Sequence, residues 1–292
     1  MRKILILGGT RFFGKKLVEL LIEEQNDITI ATRGKTADSF GHSVKRLQLD
    51  RTDTAALSEA LGSNAFDVVY DNICYNPQEA EDAVKLFTGR TGKYIVTSSL
   101  SVYPFGEPCK VEGEFDPYRY PLPEVHATQV DYAEGKRLVE AVFFQKAAFP
   151  GAAVRFPIVL GHDDYTRRLH FHVEHILQGL PIGIPNLNAK MSFIHSDEAA
   201  SFLAWLGHSN LVGPVNACSH GQLTIRELIS LITQTTGKKA NIVTESEEAH
   251  SSPFGVPDSW YMDTTKAEAA GFAFKQLSEW MPNLIKEIAI KL

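Results

Sequence analysis

The feature that most constrains this chain is a glycine-rich turn near its beginning. The apolar run Ile4–Leu7 is followed by GGTRFFG at Gly8–Gly14, then by an amphipathic stretch and a second apolar run, Ile28–Ala31. Glycines let the chain turn sharply and let an anion approach the backbone, and a helix that begins there directs free N–H groups at that anion. The pattern predicts the first βαβ unit of a dinucleotide-binding fold, with the turn beneath the pyrophosphate.

Short apolar runs alternate with helical patterns through the first half of the chain, which predicts parallel strands joined by right-handed crossovers. The predicted fold class is α/β, a Rossmann-type doubly wound parallel sheet with a smaller C-terminal substrate lobe. We expect residues 1–160 to form the NAD(P)-binding domain, to which the chain returns near 193–217, and residues 161–292 to form mainly the lobe. Strands are predicted at Ile4–Leu7, Ile28–Ala31, Val44–Leu49, Val68–Tyr70, Tyr94–Thr97 and Ala153–Phe156, and helices at Phe13–Glu24, Thr54–Leu61, Pro77–Phe87 and Tyr132–Phe149.

The composition argues against several classes of protein. With 22% charged residues and a net charge of −6, the chain offers no basic footprint for nucleic acid or an anionic membrane. No apolar run approaches the length of a membrane span, and the one after Met1 is too short for a signal peptide. The three cysteines are odd in number and scattered along the chain, which predicts reduced thiols and neither a disulfide framework nor a zinc site. We therefore expect a cytoplasmic monomer or homodimer that binds a small-molecule substrate, and neither nucleic acid nor a membrane.

The end of the second strand bears on which cofactor binds. Enzymes that prefer NAD commonly place an acid there, whereas this chain has Thr32 followed by Arg33 and Lys35. With Arg11, these cations form a pocket for a 2′-phosphate or else a solvated surface, and we favour NADP(H) over NAD(H). Asp50 either accepts a hydrogen bond from the adenine amino group or belongs to a helix N-cap region. The residues predicted to contact the cofactor are Gly8, Thr10, Arg11, Phe12, Phe13, Gly14, Thr32, Arg33, Asp50 and Lys136.

A tyrosine and a lysine provide candidate chemistry. Tyr132 and Lys136 are four residues apart, so a helix presents both on one face. A phenol loses its proton near pH 10 and needs nearby positive charge to act as an acid or base near neutrality. Ser98 and Ser99 end a predicted strand, at the sheet edge where ligands bind in open α/β folds.

Together these motifs resemble the extended short-chain dehydrogenase/reductase family, the NAD(P)-dependent sugar epimerases and dehydratases. SSLSVY at 98–103 is similar to the family's SSxxxVY-type segment, FIHSDEAA at 193–200 to its IHVxDxA segment, and DTTKA at 263–267 to its DxxKA helix. The resemblance implies that Tyr132 is the proton donor or acceptor and that Lys136 holds the cofactor ribose and lowers the tyrosine pKa. It implies that Ser99 steadies the substrate oxygen.

A narrower resemblance bears on the choice between an enzyme and a regulator. The glycine turn, TRGK at 32–35 and FDVVYD at 66–71 are similar to an atypical branch that includes chloroplast stem-loop RNA-binding proteins. Members of that branch often lack the catalytic tyrosine, which this chain keeps. We therefore predict an NAD(P)-dependent epimerase, dehydratase or reductase. The alternative is a non-catalytic, cofactor-sensing or RNA-binding regulator on the same scaffold.

The substrate stays open between a nucleotide sugar and a smaller carbonyl or hydroxyl compound. Nucleotide-sugar enzymes of the family hold the diphosphate with arginines, one just before the IHV segment, where this chain has Lys190. Arg167, Arg168 and Lys190 are the candidate substrate cations. The histidines between 162 and 175 are interpreted as a polar substrate loop, and no metal is expected, because no HExxH-like spacing occurs.

Overall fold

The computed structural model describes residues 1–123 and 130–292. Its strands are β1 Lys3–Leu7, β2 Asp27–Thr32, β3 Val44–Gln48, β4 Phe66–Asp71, β5 Thr91–Ser99, β6 Gly151–Phe156, β7 Ile158–Leu160, β8 Pro181–Gly183, β9 Lys190–Met191, β10 Phe193–His195, β11 Gly213–Asn216, β12 Leu223–Thr224 and β13 Asn241–Val243. Its α-helices are α1 Phe12–Glu23, α2 Thr54–Leu61, α3 Pro77–Phe87, α4 Tyr132–Lys146, α5 Arg168–Gln178, α6 Ser196–His208, α7 Ile225–Thr236, α8 Thr265–Ala269 and α9 Leu277–Lys291.

Seven parallel strands form the central sheet, in the order β11-β6-β5-β4-β1-β2-β3. The chain runs outward from β1 to β3 and then returns to β4 on the other side of β1. The strand order therefore reverses between β1 and β4, and the crevice outside the carboxyl ends at such a reversal is where ligands bind in open α/β sheets. The predicted Rossmann-type fold class is confirmed.

Apolar clusters cover both faces of the sheet and fill a separate C-terminal region. One face packs on α1 and α6, and the other on α2, α3 and α4. A third cluster lies among α5, α7 and α9, with its members between Leu160 and Ile288. This separation supports the division into a cofactor domain and a lobe, which remains a prediction.

Several element bounds differ from the predicted ones, β5 for example running from Thr91 to Ser99, and two of the differences are informative. Helix α4 ends at Lys146 instead of Phe149: Ala147 already has an extended backbone, and Pro150 disfavours a helical backbone at Phe149. Residues 168–178, interpreted from sequence as part of a polar loop, form α5. Leu169, Val173 and Ile176 give α5 a buried face at helical spacing, which the intervening histidines conceal in the sequence.

Candidate active site

A cleft of about 740 Å³ lies at the carboxyl ends of the strands, lined by residues of β2, β5, β6 and β7 and by the turns that follow β1 and β4. Every residue predicted to bind the cofactor or to act in catalysis lines it. These residues are Gly8, Thr10, Arg11, Phe12, Phe13, Gly14, Thr32, Arg33, Asp50, Ser99, Tyr132 and Lys136. The topology thus brings together groups that lie more than a hundred residues apart in the chain.

The glycine turn has the geometry that close approach of an anion needs. Gly8 and Gly9 have φ values of +97° and +94°, which side-chain-bearing residues rarely adopt. A Cβ on Gly14 would lie 3.3 Å from the Cα of Gly9, so helix and turn pack closely and a larger residue would crowd the turn. No side chain caps the first N–H groups of α1, whereas Asp53, Asn76 and Asp131 cap α2, α3 and α4. Helix α1 therefore keeps its N-terminal donors free for an anion such as the cofactor pyrophosphate.

Asn72 adds a donor that the sequence did not identify. Its Oδ1 accepts a hydrogen bond from the Thr97 hydroxyl at 2.8 Å, which leaves the amide nitrogen facing the turn. That nitrogen is buried without a partner, and a Cβ on Gly14 would lie 3.4 Å from it. An orphaned donor beside the glycine turn fits a bound dinucleotide. Its position directly after β4, at the reversal of strand order, was the only available signal.

The adenosine end of the cleft carries three cations and no acid at the end of β2. Arg11 donates to the Thr36 hydroxyl at 2.8 Å and lies over the Tyr165 ring, 5.8 Å from its centroid. In the described part of the chain, Arg33 and Lys35 have neither an ion pair nor a side-chain hydrogen bond. Their charges help to lower the pKa of the Asp50 carboxyl.

Asp50 lines the cleft and also accepts hydrogen bonds from the segment that follows it in the chain. It accepts hydrogen bonds from the backbone N–H and the hydroxyl of Thr52, at 3.1 and 2.9 Å, and these are the main cause of its lowered pKa. Asp53, and not Asp50, caps α2. Asp50 therefore stays ionised at the cleft wall as a candidate acceptor for the adenine amino group.

Tyr132 and Lys136 lie on the first turns of α4, and they differ sharply in burial. The Tyr132 residue is 55% exposed, whereas Lys136 is only 1% exposed. The Lys136 ammonium donates to the backbone carbonyls of Cys74 and Thr97, both at 2.8 Å. It also lies 4.7 Å from the Tyr75 ring centroid and 5.8 Å from that of Tyr132.

The electrostatics of Tyr132 differ from the sequence expectation. Desolvation of the phenol raises the pKa of Tyr132 above its ordinary value, although the Ser99 hydroxyl and the Arg168 charge act in the opposite direction. Desolvation likewise lowers the pKa of Lys136. Tyr132 therefore holds its proton near neutral pH, which suits a proton donor.

Gly135, between the tyrosine and the lysine, lets α4 reach the loop after β4. A Cβ at this position would lie 2.5 Å from the backbone oxygen of Tyr75, closer than atoms tolerate. The approach places the Tyr75 ring, which is half-exposed, in the cleft wall beside Lys136. Sequence reasoning did not single out either residue.

The structure separates the three candidate substrate cations. Arg168 lines the cleft, and the residues lining it include neither Arg167 nor Lys190. Arg167 forms an ion pair with Glu174 within its own lobe. Lys190 on β9 lies 3.2 Å from Glu107, because the segment after β5 carries that carboxylate across the lobe. This long-range pairing leaves no signal near Lys190 in the sequence.

The histidines of α5 are structural. His172 is fully buried, and its two ring nitrogens contact the Arg168 carbonyl at 2.8 Å and the Ser252 hydroxyl at 2.7 Å. Its ring stacks on Phe254 with a centroid separation of 4.4 Å. No group of three or more histidine, cysteine or acidic side chains is placed to hold a metal ion within residues 1–123 and 130–292. None of the helices described for those ranges has the length and apolar character to cross a membrane.

Comparison with known proteins identifies relatives along most of the chain. The NAD dependent epimerase/dehydratase family matches residues 4–218. A chloroplast stem-loop binding protein of 41 kDa from Arabidopsis thaliana is 28% identical over 228 residues, 71% of this chain but only 56% of that protein. The 2′-dehydrokanamycin reductase of Streptomyces kanamyceticus is 22% identical over 261 residues, covering 88% of this chain and 70% of the reductase.

Solved structures share the fold over nearly the full length. The UDP-glucuronic acid 4-epimerase of Bacillus cereus, solved with UDP-glucuronic acid and NAD, superposes with a TM-score of 0.77 and 18% identity, covering 99% of this chain and 100% of that one. The UDP-glucose 4-epimerase of Thermus thermophilus, solved with NAD, gives a TM-score of 0.75 and 17% identity, with 98% of both chains covered. At these identities the likeness concerns the fold.

Proposed function

The chain belongs to the NAD-dependent epimerase/dehydratase family, a family of extended short-chain type enzymes, and on that premise we propose that it is an NAD(P)-dependent oxidoreductase, epimerase or dehydratase. The observation that carries the proposal is the convergence of Ser99, Tyr132 and Lys136 on the cofactor cleft. Those three side chains supply an oxygen ligand, a proton carrier and a fixed positive charge in one place.

Each of the three residues has a distinct task in the proposed reaction. Bound NAD(P) would supply the hydride acceptor or donor at its nicotinamide. Ser99 orients the substrate oxygen by hydrogen bonding, and Tyr132 gives that oxygen a proton or removes one. Lys136, held by the carbonyls of Cys74 and Thr97, keeps a positive charge beneath the tyrosine and is available to the ribose hydroxyls.

The proposal extends to the choice of cofactor. Arg33 and Lys35 lie free beside a β2 end that carries Thr32 in place of an acid, and this arrangement favours a 2′-phosphate over free ribose hydroxyls. We infer that NADP(H) binds more tightly than NAD(H), although the two solved structures named above contain NAD.

The proposed chemistry is tested by Tyr132→Phe. The variant should bind NADPH as the wild type does, while turnover of nucleotide sugars or simple carbonyl substrates falls by about 10²–10⁴-fold. Tyr118→Phe is the matched control, because Tyr118 is equally exposed at 54% but lies outside the cleft. Undiminished turnover in Tyr132→Phe would rule out the mechanism.

The stem-loop binding relative supports a second candidate, an RNA-binding regulator on the same scaffold. The net charge of −6 and the intact Ser99, Tyr132 and Lys136 count against it. A gel shift with a structured RNA at increasing salt distinguishes the two functions. Absence of a shift at low salt removes the regulator.

A further inference from the structure

The cations of the cleft divide into those that the protein engages and those that it leaves free. Arg51 is paired with Asp71 at 2.9 Å, Lys136 donates to two carbonyls, and Arg11 donates to a hydroxyl. Within the described ranges, three cations lining the cleft have neither an ion pair nor a side-chain hydrogen bond: Arg33, Lys35 and Arg168.

The free cations act on different groups of the cleft. The charges of Arg33 and Lys35 act on Asp50, at the adenosine end. The charge of Arg168 acts instead on Tyr132, where it helps to lower the phenol pKa. Arg168 also lines the cleft together with Ser99 and Tyr132, and we assign it to their end of the cleft, called the reaction end here.

Arg168 is half-buried, and the acidic group nearest to it in sequence does not neutralise it. Asp164 lines the same wall: its Oδ1 accepts hydrogen bonds from the backbone N–H and hydroxyl of Thr166, its Oδ2 is buried without a hydrogen-bond partner, and no ion pair joins it to Arg168. A partly desolvated guanidinium without a partner is costly to maintain. Its planar fork of donors matches a carboxylate in a two-point hydrogen bond.

The other candidate substrate cations have intramolecular partners. Glu174 pairs with Arg167, and Glu107 pairs with Lys190 while also accepting a hydrogen bond from the Tyr261 hydroxyl. Among the described residues at the reaction end, Lys136 is engaged by two carbonyls and Arg168 is the cation without a partner, whereas a diphosphate brings at least two negative charges. A substrate with a single anionic group fits this balance better.

We propose that Arg168 is the binding site for a carboxylate of the substrate, so that the substrate is a carboxylate-bearing hydroxy or carbonyl compound, such as a sugar acid, without a diphosphate. This inference rests on the proposed function, because it takes the Tyr132 end of the cleft as the place of reaction. It assigns to Arg168 a role in specificity: the guanidinium holds the carboxylate while Ser99 and Tyr132 face the reacting oxygen.

Binding of matched sugars to the NADPH-loaded protein tests the assignment by calorimetry. D-glucuronate should bind at least about tenfold more tightly than D-glucose, in which a neutral hydroxymethyl group takes the place of the carboxylate. Arg168→Met should abolish this difference and Arg168→Lys should keep part of it. Arg167→Met is the matched control, since Arg167 is adjacent, exposed and paired with Glu174, and it should leave the difference unchanged.

Several outcomes would overturn the assignment. They are equal binding of glucuronate and glucose, no binding of glucuronate, and a difference that survives in Arg168→Met. Preferential binding of glucose 6-phosphate would mean that Arg168 binds a phosphate monoester and not a carboxylate. Weaker NADPH binding by Arg168→Met would assign the arginine to the cofactor.

These measurements need no turnover, so they separate the inference from the proposed function. If Tyr132→Phe stays fully active while Arg168 still selects glucuronate, only the mechanism fails. If Tyr132→Phe is inactive and Arg168→Met binds glucuronate normally, only the substrate inference fails.

Discussion

Lys136 and Arg155 are both buried cations beneath the carboxyl edge of the sheet, yet the protein surrounds them differently. Arg155 is fully buried, and its guanidinium forms a two-point contact with Glu140, at 3.0 and 2.6 Å. Its remaining donors reach the Tyr103 hydroxyl and the carbonyls of Glu112 and Phe115. All five of its N–H groups are thus satisfied, by a carboxylate, a hydroxyl and two carbonyls.

Lys136 has no carboxylate partner among the residues that the structure describes. It has two carbonyls and two tyrosine rings, and desolvation lowers its pKa. Lys136 and Glu140 are only one helical turn apart on α4, so location alone does not explain the difference. Removal of the partner of a buried charge destabilises the fold, whereas a buried cation without a carboxylate partner keeps its charge available to the cleft.

Replacement of Lys136 by methionine should separate chemistry from stability. Turnover should fall by about 10²–10⁴-fold, because the fixed charge beside Tyr132 is lost. The free energy of unfolding should change by less than about 1 kcal/mol, since removal of a desolvated charge offsets two lost hydrogen bonds. Steady-state kinetics and urea unfolding measure the two effects. A large loss of stability would mean that Lys136 is as structural as Arg155.

Arg155→Met should show the opposite pattern. It leaves the Glu140 carboxylate buried without its partner, and the expected loss is about 3–5 kcal/mol of unfolding free energy. The double variant Arg155→Met/Glu140→Leu should recover much of that loss, because no buried charge then lacks a partner. Urea unfolding of the single and double variants tests this. An unaffected single variant would show that the network is dispensable.

His172 extends the comparison to a buried group that is kept neutral. Burial lowers its pKa to about 4, from an ordinary value of 6.5. Between these values the unfolded chain takes up a proton that the folded protein excludes, so stability falls as the pH decreases from 6.5 to 4, by roughly 3 kcal/mol.

The pH dependence of unfolding isolates this contribution. Between pH 7 and pH 4, the free energy of unfolding measured in urea should decrease less for His172→Gln than for the wild type, even if the variant is less stable at pH 7. His42→Gln is the control, since His42 is exposed. If the free energy of unfolding varies with pH equally in the wild type and in His172→Gln, the conclusion that folded His172 is neutral is wrong.

Local patterns explain what the sequence could predict. The glycine turn, the end of β2 and the Tyr132–Lys136 spacing each depend on a few adjacent residues, and the confirmed fold class follows from the alternation of strands and helices. The side-chain roles predicted for them remain predictions. The Arg155–Glu140 pair connects β6 with α4 and gives no local signal.

Other features depended on contacts that only the folded chain forms. Asn72 became a candidate through an orphaned amide beside Gly14, and Lys190, predicted as a substrate cation, forms an ion pair with Glu107 and does not line the cleft. The histidines of α5 suggested a polar loop, since distant partners such as Ser252, which contacts His172, are not visible in the local sequence. Hydrogen bonds and ion pairs between residues distant in the sequence were therefore what the local sequence patterns could not predict.

Arg33, unlike the buried groups above, is a charge without a partner in the described residues. Its substitution should have the smallest effect among these variants. If Arg33 binds the 2′-phosphate, Arg33→Met should weaken NADPH binding by about tenfold, the loss of a charge-assisted hydrogen bond, and leave NADH nearly unchanged. Fluorescence titration of the two cofactors measures the ratio. Lys45→Met is the charge-matched control, because Lys45 lies on β3 in an ion pair with Asp27 and outside the cleft. Tighter binding of NADH than NADPH by the wild type, or an equal loss of both in Arg33→Met, would show that Arg33 is a solvated surface charge.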